Sequence, residues 1–441
     1  MTGGEFRGRG FRRGAEGYEE ARRAAVWNAR TPRRHPDLIV QAECDEDLVG
    51  AVRLAATEEM RVGVRSGGHS WAGNHVRDGG LLLDVSRLDS LEVDVEAMTA
   101  VVGPGCRGHE MLAALAERDL FFPAGHCPGV ALGGYLLQGG FGWNGRVHGP
   151  ACMSVEAIDV VTAAGELVRA DAEHHPDLFW AARGSGPGFF GAVARFHLRL
   201  YRRPRHVANG VLLYPLEALD DVFHWAHEVG PRVPREVELM VVVHRDPEGE
   251  PEVAVTAPAL VGSAEEAGAA LAFLGSAPAG AKLAVPNVEV ALPDLYAAVH
   301  QSYPDDHRYA VDNMWTHAPV EELLPGLRRI AKTLPGAPSH MLWMNWGESP
   351  ARPEMAYSVE DQTYIALYAV WEDAAEDAAN VAWPAERMRE MAPLASGIQL
   401  ADENLGQRPA RFVSEANLAR LDEVRAAYDP GGLFHPWMGR P

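Results

Sequence analysis

The pattern of apolar and polar positions changes character once along this chain, near Arg202-Arg203-Pro204. Upstream it predicts short elements. Tyr18–Trp27 reads as a helix anchored by Ala25, Val26 and Trp27, and Asp37–Gln41 as a strand. Asp45 then reads as the cap of a helix whose apolar stripe is Leu48, Val52 and Ala55 or Ala56. Arg61–Arg65 is a second strand, running straight into Ser66-Gly67-Gly68-His69-Ser70-Trp71-Ala72-Gly73. Leu81–Val85 reads as a buried strand, and Thr99–Val102 as another that leads through a turn into a helix around Met111–Leu115. Ala157–Thr162 and Leu167–Ala170 form a hairpin around Ala163-Ala164-Gly165-Glu166. Pro176–Arg183 is a short helix opening on proline, and Ala192–Leu200 a strand.

Downstream of that change, long strands such as Val237–His244 and Tyr364–Trp371 alternate with alanine-rich helices such as 264–274 and 320–334. Tryptophan is dense there, at 225, 315, 343, 346, 371 and 383. Asn417–Tyr428 reads as a last helix, closed by Asp429-Pro430-Gly431-Gly432. No internal repeat is present. With 441 residues, two domains are the natural expectation. The divisions fall at 1–35 (a basic arm and helix), 36–205, 206–404 and 405–441. Residues 1–16, rich in Gly and Arg, are expected to be disordered.

A net charge of −21 argues against nucleic acid or an anionic membrane as partner. Only Lys282 and Lys332 are lysines, so a lysine Schiff base has few candidates. No stretch approaches the length and apolarity of a membrane span, no apolar run follows Arg12-Arg13 as in a secretion signal, and no N-glycosylation sequon occurs. Cys44, Cys106, Cys127 and Cys152 have neither zinc-finger spacing nor the density of a disulfide framework. These features predict a cytoplasmic protein, monomer or homodimer, with no metal site.

Glycine concentrates in one place. Residues 123–149 hold nine of the 45 glycines, and no acidic residue lies between Gly125 and Gly149 although the chain carries 61. Such a surface, with main-chain N–H groups open to close approach, suits a flat anionic ligand such as a dinucleotide. Two further runs, Gly103–Gly108 and Gly186–Gly191, match G-x-G-x-x-G. The first follows a strand and precedes a helix, but no acidic residue sits about 20 positions on to hold a ribose. A nicotinamide-dependent dehydrogenase is therefore a minor alternative.

Taken in order, Arg65-Ser-Gly-Gly-His69-Ser, Gly125-His-Cys127-Pro-Gly-Val-Ala-Leu-Gly133-Gly134, Gly186–Gly191 before a strand, and Tyr428-Asp429-Pro430 with Phe434 resemble the FAD-linked oxidases with a PCMH-type FAD-binding domain. The berberine-bridge-enzyme-like group is the nearest likeness. The similarity is strong over about 36–205, moderate at the C terminus and slight over 205–400. It implies an α+β fold: a two-subdomain FAD-binding domain, a substrate domain with a large antiparallel sheet covered by helices, and a C-terminal segment returning to the FAD-binding domain.

The resemblance also implies FAD held by two covalent links, His69 to the 8α-methyl group and Cys127 to C6. Arg65, Ser66, Gly67, Gly68 and Ser70 would meet the pyrophosphate. Val130, Gly133, Gly134, Gly140 and Gly142 would lie along the ribityl chain and flavin, and Val193 near the adenine. Tyr135 falls where the family places a residue beside the ring. The implied activity is an oxidase: hydride leaves a small-molecule substrate's C–H next to a hydroxyl or amine, a base takes the heteroatom's proton, and O₂ becomes H₂O₂. Sugars, alcohols and natural products are the candidate substrates, with oxidative cyclisation of a natural product as an alternative. A non-catalytic protein on a degenerate flavin fold is a further alternative. Tyr135, Tyr364 and Tyr368 are the candidate catalytic groups, with Asp402 and Glu403 as rivals. Substrate is expected between the second domain and the flavin, with Trp343, Trp346 and Trp371 as candidate pocket walls.

Overall fold

The computed structural model describes residues 6–440. Its first layer is a four-stranded sheet of β1 (Arg9–Arg12), β2 (Leu38–Gln41), β3 (Val62–Arg65) and β4 (Leu81–Asp84), ordered β1-β2-β4-β3. The last three strands run parallel, and β1 pairs antiparallel with β2. Part of the arm expected to be disordered is thus a strand: Asp47 ties it down by accepting the amides of Arg7 and Gly8 at 2.7 and 2.9 Å. Residues 1–5 of that arm lie outside the described residues. Helices α1 (Tyr18–Ala24) and α2 (Asp45–Thr57) flank this sheet. Cys44, not Asp45, is the cap residue of α2. Asp45 sits in the first turn, where its carboxylate instead binds Arg195 at 2.7 Å, and Asp47 reaches back to the Glu43 amide.

The second layer is an antiparallel sheet of β5 (Leu91–Asp94), β6 (Thr99–Val102), β8 (Val155–Val161), β9 (Leu167–Ala170) and β10 (Ala192–Arg199), ordered β5-β6-β10-β8-β9. A short pair, β7 (Leu120–Phe121) with β11 (Tyr201–Arg202), lies beside it. Helices α3 (Gly108–Ala116), α4 (Leu132–Leu137), α5 (Gly145–His148) and α6 (Pro176–Ala182) fill the connections. Because β6 pairs antiparallel with β5 and β10, the Gly103–Gly108 run does not open a parallel dinucleotide-binding unit. Its glycines are consumed by the chain itself: a Cβ on Gly103 or Gly105 would come within 2.0 Å of the Leu88 carbonyl oxygen or 2.2 Å of that of Ser86.

The third layer is a seven-stranded antiparallel sheet: β12 (His206–Pro215), β13 (Met240–Arg245), β14 (Pro251–Val261), β15 (Leu283–Glu289), β16 (Arg308–Thr316), β17 (His340–Asn345) and β18 (Thr363–Trp371), ordered β15-β12-β14-β13-β17-β18-β16. Helices α7 (Leu219–Val229), α8 (Ala264–Ala270), α10 (Val320–Lys332) and α11 (Asp377–Met391) cover one face, and α9 (Leu292–Ser302) connects β15 to β16. All nine residues of β18 are buried, and side-chain alternation divides them. Ile365, Leu367 and Ala369 join the core under the helices, while Tyr364, Ala366, Tyr368 and Val370 face the other way.

The same alternation in β17 sends Met341 and Trp343 under the helices and leaves His340, Leu342 and Met344 on the cavity side. The last helix, α12 (Glu415–Tyr428), leads back to the first domain: Phe434 bridges to Val62, and Trp437 donates to the Ser185 carbonyl at 2.7 Å. No helix among the described residues is long and apolar enough to cross a membrane.

Candidate active site

A cavity of about 1250 Å³ lies where the glycine-rich loops of the first two layers meet the uncovered face of the large sheet. The loop after β3, Ser66–Ser70, lines it, with Gly67 and Gly68 allowing close approach of the backbone to Ala131 and Ala25. The main-chain amides of Gly67, Gly68, His69 and Ser70 find no acceptor among the described residues, so they remain available to a ligand. Gly134 makes the same point sterically. It lines the cavity, and a Cβ there would meet no protein atom within 4 Å. Arg107, exposed at the cap of α3, adds a cation to the lining. His435, at the end near Val62, presents a buried Nε2 with no hydrogen-bond partner among the described residues. Open amides, a nearby cation and a room-sized gap beside glycine fit a dinucleotide.

His69 and Cys127 line this one cavity. The His69 ring stacks on Trp27 with centroids 4.7 Å apart and planes at 19°, and its Nε2 lies against Gly129, where a Cβ would approach to 3.1 Å. Burial, helped by the Arg107 and Arg65 guanidiniums, holds its pKa down to about 4. Near neutral pH the imidazole is therefore uncharged, with a lone pair to share. Burial pushes the Cys127 thiol up to about 12, and Asp402 adds to the effect, so this sulfur keeps its proton.

The other cradle residues divide by what they touch. Val130, Gly133 and Val193 line the cavity with Gly134. Arg65 lines it too, but its guanidinium is paired with Asp84 at 2.9 Å and with the Ala25 carbonyl at 3.1 Å. The Ser66 hydroxyl donates to the Pro104 carbonyl at 2.6 Å, and Ser70 Oγ accepts the Asn74 amide. Gly140 and Gly142 make room for Tyr135 instead of a ligand: a Cβ on either would come within 2.8 and 2.6 Å of that side chain. Tyr135 is itself buried, with its hydroxyl given to the Pro123 carbonyl at 2.6 Å.

The opposite wall carries the acid–base groups. Asp402, in a short turn after residue 399, accepts Trp71 Nε1 at 2.6 Å through one oxygen, and the hydroxyls of Tyr364 and Tyr368 through the other, the latter at 2.8 Å. Burial raises the Asp402 pKa against the pull of those three donors, and raises both phenols well above their ordinary value. Beside them Tyr303 donates to His340 Nε2 at 3.0 Å. The other ring nitrogen gives its proton to the Pro338 carbonyl, and burial lowers the imidazole to about 4. Glu403 lies deeper, bonded to Asn74 and the Leu405 amide and raised to about 7 by burial.

Of the expected tryptophan walls, Trp343 and Trp371 face the helices and Trp346 packs behind Phe141 at 4.7 Å. Trp27, Trp71 and Trp315 line the cavity in their place. The sequence reading missed Trp27, Trp71, Tyr303 and His340. A signal for one of them exists in the period-two alternation of β17, which groups His340 with Leu342 and Met344.

Residues 36–171 match the model of an FAD binding domain. Along nearly its whole length the chain is similar to the FAD-linked oxidoreductase nodO of Hypoxylon pulicicidum, at 32% identity over 429 residues, covering 94% of this chain and 93% of that protein. The chain belongs to the FAD-linked oxidoreductases. Two solved structures share the fold of this oxidoreductase. One is 6-hydroxy-D-nicotine oxidase of Arthrobacter nicotinovorans, with TM-score 0.85, 22% identity, and coverage of 99% of this chain and 98% of that one. The other is BBE-like 1 of Physcomitrella patens, with TM-score 0.86, 21% identity, and coverage of 98% and 97%. The oxidoreductase is thus an FAD-dependent enzyme with a PCMH-type domain and a berberine-bridge-enzyme-like architecture.

Proposed function

We propose that this oxidoreductase is an oxidase that removes hydride from a C–H next to a hydroxyl or amine and passes the electrons to O₂, releasing H₂O₂. The observation that carries this reading is the pairing, across one cavity, of an amide-lined glycine cradle with two phenols held on a single buried carboxylate. Bound FAD, linked through His69 and Cys127, supplies the two-electron acceptor. The chain's own residues move the proton. A substrate hydroxyl or amine that meets the Tyr364 or Tyr368 oxygen gives up its proton there as the phenol passes its own to Asp402 Oδ2. The raised pKa of Asp402 makes it a stronger base than an ordinary carboxylate, which suits proton transfer near neutral pH. Trp71 holds the other carboxylate oxygen and fixes its orientation.

The walls narrow the substrate. Val211, Met240, Val242, Leu342 and Met344 are apolar, and several of the polar atoms beside them are engaged within the protein. Asn209 Oδ1 accepts the Thr256 hydroxyl and the Ala257 amide, and the Arg245 guanidinium donates to the carbonyls of Leu334, Pro335 and Gly249. Trp315 Nε1, buried and without an acceptor among the described residues, is a donor left over. This supports a bulky, mostly apolar alcohol or amine over a sugar, whose many hydroxyls would go unpaired. Oxidative cyclisation of such a natural product is favoured by the same walls. The test is anaerobic reduction of the purified enzyme by a panel of apolar alcohols, amines and sugars, followed by air. Rapid return of the oxidised flavin spectrum with one H₂O₂ per turnover supports the oxidase; a product bearing a new ring assigns the cyclase; reoxidation only by quinones or dyes refutes both.

A further inference from the structure

The residue packed on His69 comes from outside the glycine loops and is held from outside its own domain. Trp27 follows α1, and its amide donates to the Gly68 carbonyl at 3.0 Å, which ties it to the loop of His69. Its indole lies flat on the imidazole, and its Nε1 donates to Asp305 at 2.8 Å. Asp305 belongs to the segment between α9 and β16, in the second domain. Neighbouring contacts reinforce the arrangement. Tyr309 of β16 packs against the indole with centroids 4.9 Å apart. The Asn28 amide group donates to the carbonyls of Trp71 at 2.7 Å and Tyr309 at 3.0 Å, joining the two domains at the next residue. The loop backbone at Gly67 and Gly68 packs closely on Ala131 and Ala25, while the His69 ring itself meets Trp27 at its face and Gly129 at its Nε2 edge.

We propose that Trp27, clamped by Asp305, is a positioning residue for flavin attachment: it holds the His69 imidazole in the orientation that bonds the cofactor, and so makes attachment conditional on the docking of the second domain. This rests on the reading that His69 bonds FAD. The bond formed joins an imidazole nitrogen to the 8α carbon. That carbon loses one hydrogen as a proton, the imidazole loses its N–H proton, and the two electrons left on the flavin pass to O₂, which takes both protons to give H₂O₂. The step needs a fixed, uncharged ring close to the carbon, and a ring free to turn about its side-chain bonds would reach that geometry less often.

The test uses full-length chains made in riboflavin-depleted cells and then supplied with FAD in air. Flavin mass on the tryptic peptide containing His69 is followed over time, with total bound FAD and thermal melting in parallel. Trp27→Phe, which keeps a stacking ring but loses the Nε1 donor to Asp305, should slow attachment as Asp305→Ala does. Trp27→Leu and Asp305→Ala should acquire flavin on His69 roughly ten-fold more slowly, the size of effect expected for loss of one aromatic contact, while binding as much FAD in total. Native rates in both variants overturn the proposal, and slowing in one without the other overturns the clamp. Should Trp27→Leu fail to fold, Asp305→Ala decides, since it leaves the indole in place. A native chain with no flavin on His69 overturns the attachment reading and the proposal with it, a result distinct from attachment at unchanged rates.

Discussion

The two walls of the cavity are made of different parts of the chain. On the side of residues 65–70 and 125–134, what faces the cavity is largely main chain: open amides, and glycines such as Gly134 whose missing side chains define the space. On the side of the large sheet, what faces it is side chain: Tyr364, Tyr368 and His340 in a strand pair, with Asp402 reaching in from a turn. A main-chain wall can be tuned only by leaving side chains out, and it recognises a ligand common to many enzymes. A strand face exchanges its side chains without altering the sheet, so chemistry and specificity can vary there.

The largest expected effects separate glycines that serve the ligand from those that serve the fold. In Gly142→Ala the new Cβ would lie 2.0 Å from the Ala124 carbonyl oxygen. It should cost more than about 3 kcal/mol, read as a collapse of the thermal melting temperature. Gly134→Leu meets no protein atom at its Cβ, so melting of the apoprotein should shift by less than about 1 kcal/mol while bound flavin falls sharply. Equal loss of stability in both variants would break the distinction between a cradle and a packed loop.

Next comes the opposite wall. Asp402→Asn should lower kcat by about 10²- to 10⁴-fold with flavin content unchanged, since the acceptor for the phenol proton is gone. Because burial raises the Asp402 pKa, and the base acts only when ionised, kcat of the native enzyme should fall as pH drops through a value above the ordinary carboxylate range. That acid limb should vanish in Asp402→Asn. Tyr135→Phe, on the main-chain side, should keep kcat within about two-fold and lose only about 1 kcal/mol of stability, from the unpaired Pro123 carbonyl. A reversed ranking of the two variants would move the acid–base chemistry to the glycine wall.

The smallest effects sharpen the second wall alone. Trp343 is wholly buried under α7, with its Nε1 bonded to Asn345 at 3.1 Å, so Trp343→Phe should cost about 1–3 kcal/mol and leave substrate preference unchanged. Trp315→Phe removes an N–H with no protein partner, so stability should hold while KM or substrate ranking shifts. Steady-state kinetics over the substrate panel, with melting curves, would distinguish them.

Local signals were enough for the first wall. Glycine density, the absence of acids over 125–149 and the His69 and Cys127 loops marked it in the sequence, because main-chain recognition is written in consecutive residues. Strand positions were also legible where alternation or a turn bounded them, as in the 155–170 hairpin and β18. The capping role was shifted by one residue at Asp45 because Arg195, 150 positions away, takes that carboxylate. The arm at 9–12 becomes a strand only because β2 offers it a free edge.

By itself, the sequence determined the family and the cofactor class, through motifs that are local runs of residues. Only the tertiary structure decided which tryptophans reach the cavity, since facing in or out depends on strand parity relative to the helices. It alone brought Trp71, Tyr364, Tyr368 and Asp402 to one point and set Trp27 between His69 and Asp305. Those groups lie up to 331 residues apart, and their meeting is a property of how the sheet docks, which no local run of residues encodes.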